Sequence, residues 1–296
     1  MTPNPLLKKL GYAETDRLVI LHTDDIGMCH ASLQAFIDLW EFGTISSGAV
    51  MVPCPWFPAT AEFGRNHPEV DLGIHATLNA EWDSYRWGPV STSDPASGLL
   101  DQDGYFHQWH AGVYAHAKLE AVETEINAQV EKALAAGIEV SHIDSHMGTS
   151  LHPRYIQSYL RAGRKRQIPN LLPRASATGF WMIDSGETGP EVYQPILEQF
   201  EAEGLPMVDA LDGMPLEHDE DHLGLAKKLL SELPAGVTHF MLHPSIDTPE
   251  LRAIAPDWRA RVANYQAFIN PELRTFIRNC GIQVIGYRAL RAALRS

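Results

Sequence analysis

The chain has 296 residues, 45% of them apolar, which is enough to fill a sizeable core. Its 37 acidic against 23 basic residues leave a net charge of −14, which argues against binding a nucleic-acid backbone and against a polybasic hold on a membrane. Three cysteines, Cys29, Cys54 and Cys280, are odd in number and lack CxxC spacing, so a disulfide framework and a thiolate zinc site are both disfavoured. The first residues, "MTPNPLLKKLGYAETDR", lack the apolar stretch of a signal peptide, and no apolar run is long enough to span a bilayer. The default expectation is a soluble, cytoplasmic protein. Its oligomeric state is open, a homodimer being common among soluble enzymes.

In chain order, apolar runs of strand character alternate with helical patterns. "RLVILHT" reads as the first strand. "ASLQAFIDLWEFG" follows as a helix with Leu33, Phe36, Ile37 and Trp40 on one face and Gly43 as its C-cap. "TISSGAVMV" is the second strand, "FPATAEFGRNH" a short helix, and "VDLGIHATL" the third strand. A segment from Asn79 to Ala117 then interrupts the rhythm. It resumes with the helix "KLEAVETEINAQVEKALAAG", whose apolar face is Leu119, Val122, Ile126, Val130 and Leu134, and with the strand "IEVSHID". "PRYIQSYLRAGRKRQ" opens on a proline suited to a first helical turn. "LLPRAS" and "LPMVDA" are weaker strands around the helix "EVYQPILEQFEAEG". "LGLAKKLLSEL" leads to the strand "VTHFMLH", and a last helix over "RVANYQAFINPELRTFIRNCG" leads to "IQVIGYR".

Seven or eight strands, each followed by a helix, predict an α/β fold with a parallel sheet, closed into a distorted TIM-like (β/α) barrel. An open doubly wound sheet is the alternative, but no strand is followed by GxGxxG or GxxxxGK[ST]. No linker or repeat marks a boundary, so residues 1–296 are expected to form one domain.

In a parallel barrel every strand's C-terminal end opens on one face, where the active site is built. The titratable residues at those ends are Asp24 and Asp25, His75, His146 with His152 beyond it, and His243. A single histidine is more often a satisfied core or surface residue. Four strands ending this way, in a chain with 14 histidines, point to one mouth. A carboxylate with two imidazoles is a ligand set for a catalytic divalent metal. The ion's charge would offset the repulsion between the paired aspartates and leave one free as a base, which is the layout of metal-assisted hydrolysis. The spacing of His142 and His146 also allows an i,i+4 chelate, although "GIEVSHID" is not helical in pattern.

These stretches resemble a known family. "TDDIG", "GIHATL", "HIDSHMGTSLHP" and "MLHP" are similar, in order and spacing, to the motifs NADDFG, GxHxxLT, HxDSHxHxH and CHP of the YdjC/ChbG-like carbohydrate deacetylases. "GTISSGAVMV" and "IGYR" resemble that family's second and closing strands. The resemblance implies a distorted TIM-like barrel and removal of acetyl groups from N-acetylated amino sugars or short oligosaccharides. By position it makes Asp25, His75 and His146 the metal ligands, Asp24 the general base and His243 the general acid. The ion would be zinc or magnesium, with manganese or cobalt as further options. Asp144 becomes a candidate to orient a ligand imidazole. The chain departs from the motifs at His22, where the family carries Asn, and at "MGTS", where it carries further histidines. His22 shares a strand face with Asp24 and could tune the base, touch substrate or fill the barrel.

The 79–117 segment carries Trp82, Tyr85, Trp87, Tyr105, Phe106, Trp109 and Tyr114 and is expected to cover the mouth. Trp82 in this segment and Trp181 in "TGFWMIDSGETG" are candidates for substrate contact. His152 is placed either at the mouth or at a helix start. The expected partner is a small carbohydrate. Two other functions fit the same residues: a metal-dependent hydrolase of another amide or of a phosphoester, and a carbohydrate-binding or regulatory protein without turnover.

Overall fold

The computed structural model describes residues 3–179, 190–217 and 221–296. Among the described residues, eight strands form one parallel sheet: β1 Arg17–Ile26, β2 Ser47–Val50, β3 Leu72–Ala76, β4 Ile143–Ser145, β5 Pro173–Thr178, β6 Val208–Gly213, β7 Gly236–Leu242 and β8 Gln283–Val284. Their order is β4-β3-β2-β1-β7-β6-β5, and the short β8 lies against the start of β1. The order is circular in sequence, which is how a parallel barrel closes. Closure itself is made just ahead of β5, where Ile143 N–H donates to the Pro169 carbonyl at 2.9 Å and Leu171 N–H donates to the Ile143 carbonyl at 2.8 Å. The expected distorted TIM-like barrel is therefore what the chain forms, and the open sheet is not.

The strands overlap the predicted runs, but the closing one keeps only Gln283–Val284 of "IQVIGYR", since Tyr287 already opens a helix. The fourth strand occupies Ile143–Ser145, later than "IEVSHID" suggested, because Ile143 is the residue that meets Ile74 of β3. The last long helix is two, Trp258–Phe268 and Pro271–Asn279, since Pro271 has no N–H to continue the first and Asn270 caps the second by accepting from Glu272 N–H at 2.8 Å. Short helices at Pro5–Leu10, Pro249–Ile254 and Tyr287–Arg295 add to the alternation. Among the described residues, no helix is long and apolar enough to cross a membrane. All three cysteines are free.

Helices pack outside the barrel. In His30–Phe42, Leu33, Phe36 and Leu39 are buried, and Gly43 ends the helix with φ 78° as a left-handed C-cap. In Leu119–Ala135, Val122, Ile126 and Val130 are buried, whereas Leu134 is exposed rather than part of the face. This helix also carries two buried polar residues, Glu125 and Gln129. The Gln129 amide pairs with both backbone groups of Thr77, just past β3, at 3.0 and 2.7 Å. The Glu125 carboxylate accepts from Val90 N–H at 3.0 Å and Ser91 N–H at 2.8 Å. One helix thus ties the end of a barrel strand to the long segment above it.

Candidate active site

Asp24 and Asp25 come together through an irregularity in β1. Between Thr23 and Ile26 the strand spends one residue more than its partner β2, and Asp25 adopts φ 59°. This local bulge breaks the alternation that would send neighbouring side chains to opposite faces. Aspartate is among the few residues that tolerate the left-handed region. Gly27 follows with φ 80°, and a Cβ there would lie 2.7 Å from Thr60 Oγ1, so a side chain at that turn would collide.

His75 on β3 and His146 just after β4 converge on Asp25. The Asp25 Oδ1 atom lies 3.5 Å from His75 Nε2 and 3.3 Å from His146 Nδ1, and it is buried with no hydrogen-bond partner. The three residues are at most 3% exposed. Each is steadied from behind. His75 Nδ1 is 2.7 Å from Asp144 Oδ1, His146 Nε2 is 3.0 Å from Glu81 Oε2, and Asp25 Oδ2 accepts from Arg261 Nη1 at 2.7 Å. Carboxylates behind ligand imidazoles fix ring orientation and raise basicity. One orphaned carboxylate oxygen between two so-oriented imidazole nitrogens is a donor set that fits a divalent ion.

Beside this cluster, Asp24 Oδ2 lies 3.9 Å from His75 Nε2 and 3.6 Å from His243 Nε2. Its other oxygen, Oδ1, is 2.7 Å from His22 Nδ1. Burial raises the Asp24 carboxyl, but the charge of His75 and the His22 hydrogen bond outweigh it and hold the group below the usual carboxylate range. Asp25 behaves likewise, burial being outweighed by Arg261 and the two histidines. Without an ion, burial lowers His75 and His146, yet Asp144 and Asp24 drive His75 well up and Glu81 and Asp25 push His146 up to about 9. The pocket thus attracts positive charge, whether as protons or as a cation. His243 goes the other way: burial lowers it, and Asp24 offsets this only in part.

All five residues face a cleft of about 930 Å³, large enough for a sugar of one to a few rings. The 79–117 segment forms part of its wall, as expected of a mouth loop, but most of its rings serve as anchors. Trp87 and Phe106 are buried, Trp87 Nε1 donates to the Asn79 carbonyl at 2.9 Å, and the Tyr85 hydroxyl donates to the Met28 carbonyl at 2.6 Å. Trp82 and Trp109 do reach the cleft. Trp82 is nearly buried beneath the Arg261 guanidinium, 5.4 Å from its ring, while Trp109 is 57% exposed. Trp181 lies outside the described residues.

Three candidates sit elsewhere than the mouth. His152 stacks on Tyr114, with ring centroids 4.0 Å apart, and its Nδ1 accepts from Arg154 N–H at 3.3 Å just ahead of the helix Ile156–Arg164, so the helix-start reading fits it and the cleft does not include it. His142 is turned away from Asp25, His75 and His146: its Nε2 is 2.8 Å from His22 Nε2, which removes the i,i+4 chelate with His146. His22 is fully buried inside the barrel and does not line the cleft, so of its three readings substrate contact is excluded.

Glu81 and Arg261 were not foreseen. Glu81 lies in the irregular segment after β3, and Arg261 in a helix 236 residues from Asp25. No strand-end placement marks either one. The nearest signal for Arg261 is the aspartate four residues before it, since Arg261 Nε donates to Asp257 Oδ1 at 2.8 Å on the helix surface facing the cleft.

Known proteins share this arrangement of the chain. The family model for YdjC-like protein matches residues 18–279. A carbohydrate deacetylase of Thermus thermophilus is 33% identical over 292 residues, covering 98% of this chain and 99% of that protein. A carbohydrate deacetylase of Thermoanaerobacter pseudethanolicus is 22% identical over 275 residues, covering 93% of this chain and all of that protein. A solved structure from Enterococcus faecalis V583, named for cellobiose-phosphate cleavage, superposes with a TM-score of 0.72 at 21% identity and covers 93% of this chain and 99% of its own; at that identity it supports the fold alone. On the match over residues 18–279 and the identity to the Thermus protein, the chain belongs to the YdjC-like family.

Proposed function

We propose that this protein is a metal-dependent carbohydrate deacetylase that hydrolyses the acetamide of N-acetylated amino sugars or short oligosaccharides. One observation carries the reading: Asp25 Oδ1 sits unpartnered between His75 Nε2 and His146 Nδ1, with Asp24 and His243 beside it on the same cleft. The names of the Thermus and Thermoanaerobacter relatives support the substrate class. Two imidazoles and one carboxylate favour zinc over the all-oxygen preference of magnesium. Asp25, His75 and His146 would hold a divalent ion, which would supply Lewis acidity toward water and the acetyl carbonyl.

The chain's own residues do the rest. Asp24, ionised and with Oδ2 turned to the cleft, takes the proton of the water that attacks the acetyl carbon. His243, with Nε2 3.6 Å from that carboxylate, is placed to pass a proton to the sugar nitrogen as the C–N bond breaks. Burial lowers its pKa, which makes the imidazolium a stronger acid toward the amine once formed, and the charge of Asp24 beside it favours taking up that proton. The products are acetate and the free amine. Asp144, Glu81 and Arg261 keep the ligands in place, Trp109 offers an exposed apolar face to the sugar ring, and Trp82 supports Arg261 from the cleft wall.

The test is acetate release from N-acetylglucosamine and its short β-linked oligomers, with metal content measured alongside. Asp24→Asn and His243→Ala are each expected to cut turnover by roughly 10²-fold or more with metal still bound. Normal acetate release by either variant overturns the assignment. Phosphate release from a sugar phosphate in place of acetate points to the phosphoester alternative.

A further inference from the structure

Asp24 has two carboxylate oxygens with different surroundings. Oδ2 faces the reaction space near His75 and His243, whereas Oδ1 is held from inside the barrel by His22 Nδ1 at 2.7 Å. An ionised Asp24 can only accept a hydrogen bond, so Nδ1 of His22 carries the hydrogen. His22 is in turn fixed on its other side. Its Nε2 lies 2.8 Å from His142 Nε2 and 3.5 Å from Asp144 Oδ2, and its ring packs 4.6 Å from that of His239. His142 Nδ1 continues the contact to Ser141 Oγ at 2.9 Å, and the His142 ring stacks on Tyr287 at 3.8 Å. The His142 ring also lies flush on β3, where a Cβ at Gly73 would come within 2.3 Å of it. All of these histidines are fully buried.

We propose that His22 is a positioning residue for the base: its Nδ1–H, braced by His142, pins Asp24 Oδ1 and thereby presents Oδ2 to the attacking water. This rests on Asp24 being the base. His22 does not line the cleft, and its short contact to the site is the one to Asp24 at 2.7 Å, against 3.5 Å to Asp144 behind His75. A rotated Asp24 carboxylate would still be charged and close to the ion site, but with the wrong oxygen and angle for proton transfer.

The informative replacements differ in one atom type. In Asn, Nδ2 stands at the same bond count from the backbone as His Nδ1, so His22→Asn retains the donor and loses the brace. His22→Leu removes both. Acetate release from N-acetylglucosamine oligomers, with zinc content and thermal unfolding measured on each variant, is expected to show kcat down about 10- to 100-fold in His22→Leu, as for other residues that orient a working group. KM and zinc content should stay within about two-fold, and His22→Asn should recover most of the lost kcat. In the Asp24→Asn background, His22→Leu should add no further loss, because the two act as one unit. Wild-type kcat in folded His22→Leu overturns the proposal, as does a folded, zinc-loaded His22→Asn no better than His22→Leu. Should His22→Leu fail to fold, His22→Asn decides alone: a kcat that falls as far as that of Asp24→Asn overturns the proposal, and one nearer the wild type supports it. Activity surviving in Asp24→Asn instead refutes the base assignment, a separate failure.

Discussion

Replacing Asp144 by Asn should weaken metal binding more than replacing Glu81 by Gln, although both carboxylates perform the same service. Asp144 Oδ1 is 2.7 Å from His75 Nδ1, and its side chain is 2% exposed. Glu81 Oε2 is 3.0 Å from His146 Nε2, and its side chain is 11% exposed on the cleft wall. An amide keeps the shape of either carboxylate and removes its charge, leaving the ligand imidazole less basic and less firmly oriented. Loss of such a partner costs about 10- to 100-fold in metal affinity, which is about 1.4 to 2.7 kcal/mol. The shorter, fully enclosed contact belongs at the upper end, since water cannot replace the lost charge. The partly open one belongs near tenfold, since water can. Zinc titration against a competing chelator at fixed pH measures both, and excess zinc should restore much of the turnover. An Asp144→Asn affinity equal to the wild type, or a Glu81→Gln loss exceeding that of Asp144→Asn, would refute the orientation argument.

Zinc-stripped protein should lose thermal stability as pH rises from about 6.5 to 9: His146, pushed up to about 9 by Glu81 and Asp25 against the effect of burial, contributes fully below its unfolded value and loses its proton through that window. The zinc-loaded protein should show no such decline, since the ligand imidazoles are then unprotonated throughout, and scanning calorimetry on both forms compares them. Glu125→Ala leaves the N–H groups of Val90 and Ser91 without their buried acceptor, which should cost about 2–4 kcal/mol in chemical denaturation and speed amide exchange around those two residues. Trp109→Ala, at a ring 57% exposed on the cleft, should raise KM several-fold while leaving stability within about 0.5 kcal/mol. Trp82→Ala, nearly buried under Arg261, should cost about 3–5 kcal/mol, and equal unfolding temperatures for the two variants would contradict this division.

Much of the site was legible because a parallel barrel converts strand ends into a single place. The runs "LVILHTDD", "GIH" and "FMLH" each place a titratable residue at the end of an apolar stretch, and the structure brings Asp24, Asp25, His75, His146 and His243 to one cleft. The bulge at Asp25 was readable only as a need: two adjacent carboxylates facing one way require a break in alternation, but φ 59° at a non-glycine residue has no sequence signature of its own. Glu81 and Arg261 escaped because their roles are set by tertiary packing of an irregular segment and an outer helix. The break at Pro271 was available in the Asn-Pro pair that starts the second helix, and the apolar periodicity across it concealed the stop. The i,i+4 chelate that the spacing of His142 and His146 allows fails for a related reason: spacing counts residues along the chain, whereas the direction of the side chain decides which neighbour a ring meets.

The layer of imidazoles beneath Asp24 also constrains how such a sequence can drift. TIM-like barrels ordinarily fill their interior with branched aliphatic residues, which tolerate exchange for one another. Here His22 pairs with His142 at 2.8 Å and the Tyr287 hydroxyl meets His239 Nδ1 at 2.9 Å, while His239 Nε2 is left without a hydrogen-bond partner. Replacing one ring with an apolar side chain strands a buried donor or acceptor on its neighbour, at about 1–3 kcal/mol each time. Accepted changes at these four positions should therefore arrive in compensated sets, and among relatives their identities should vary together even though they come from the first, fourth, seventh and last segments of the barrel.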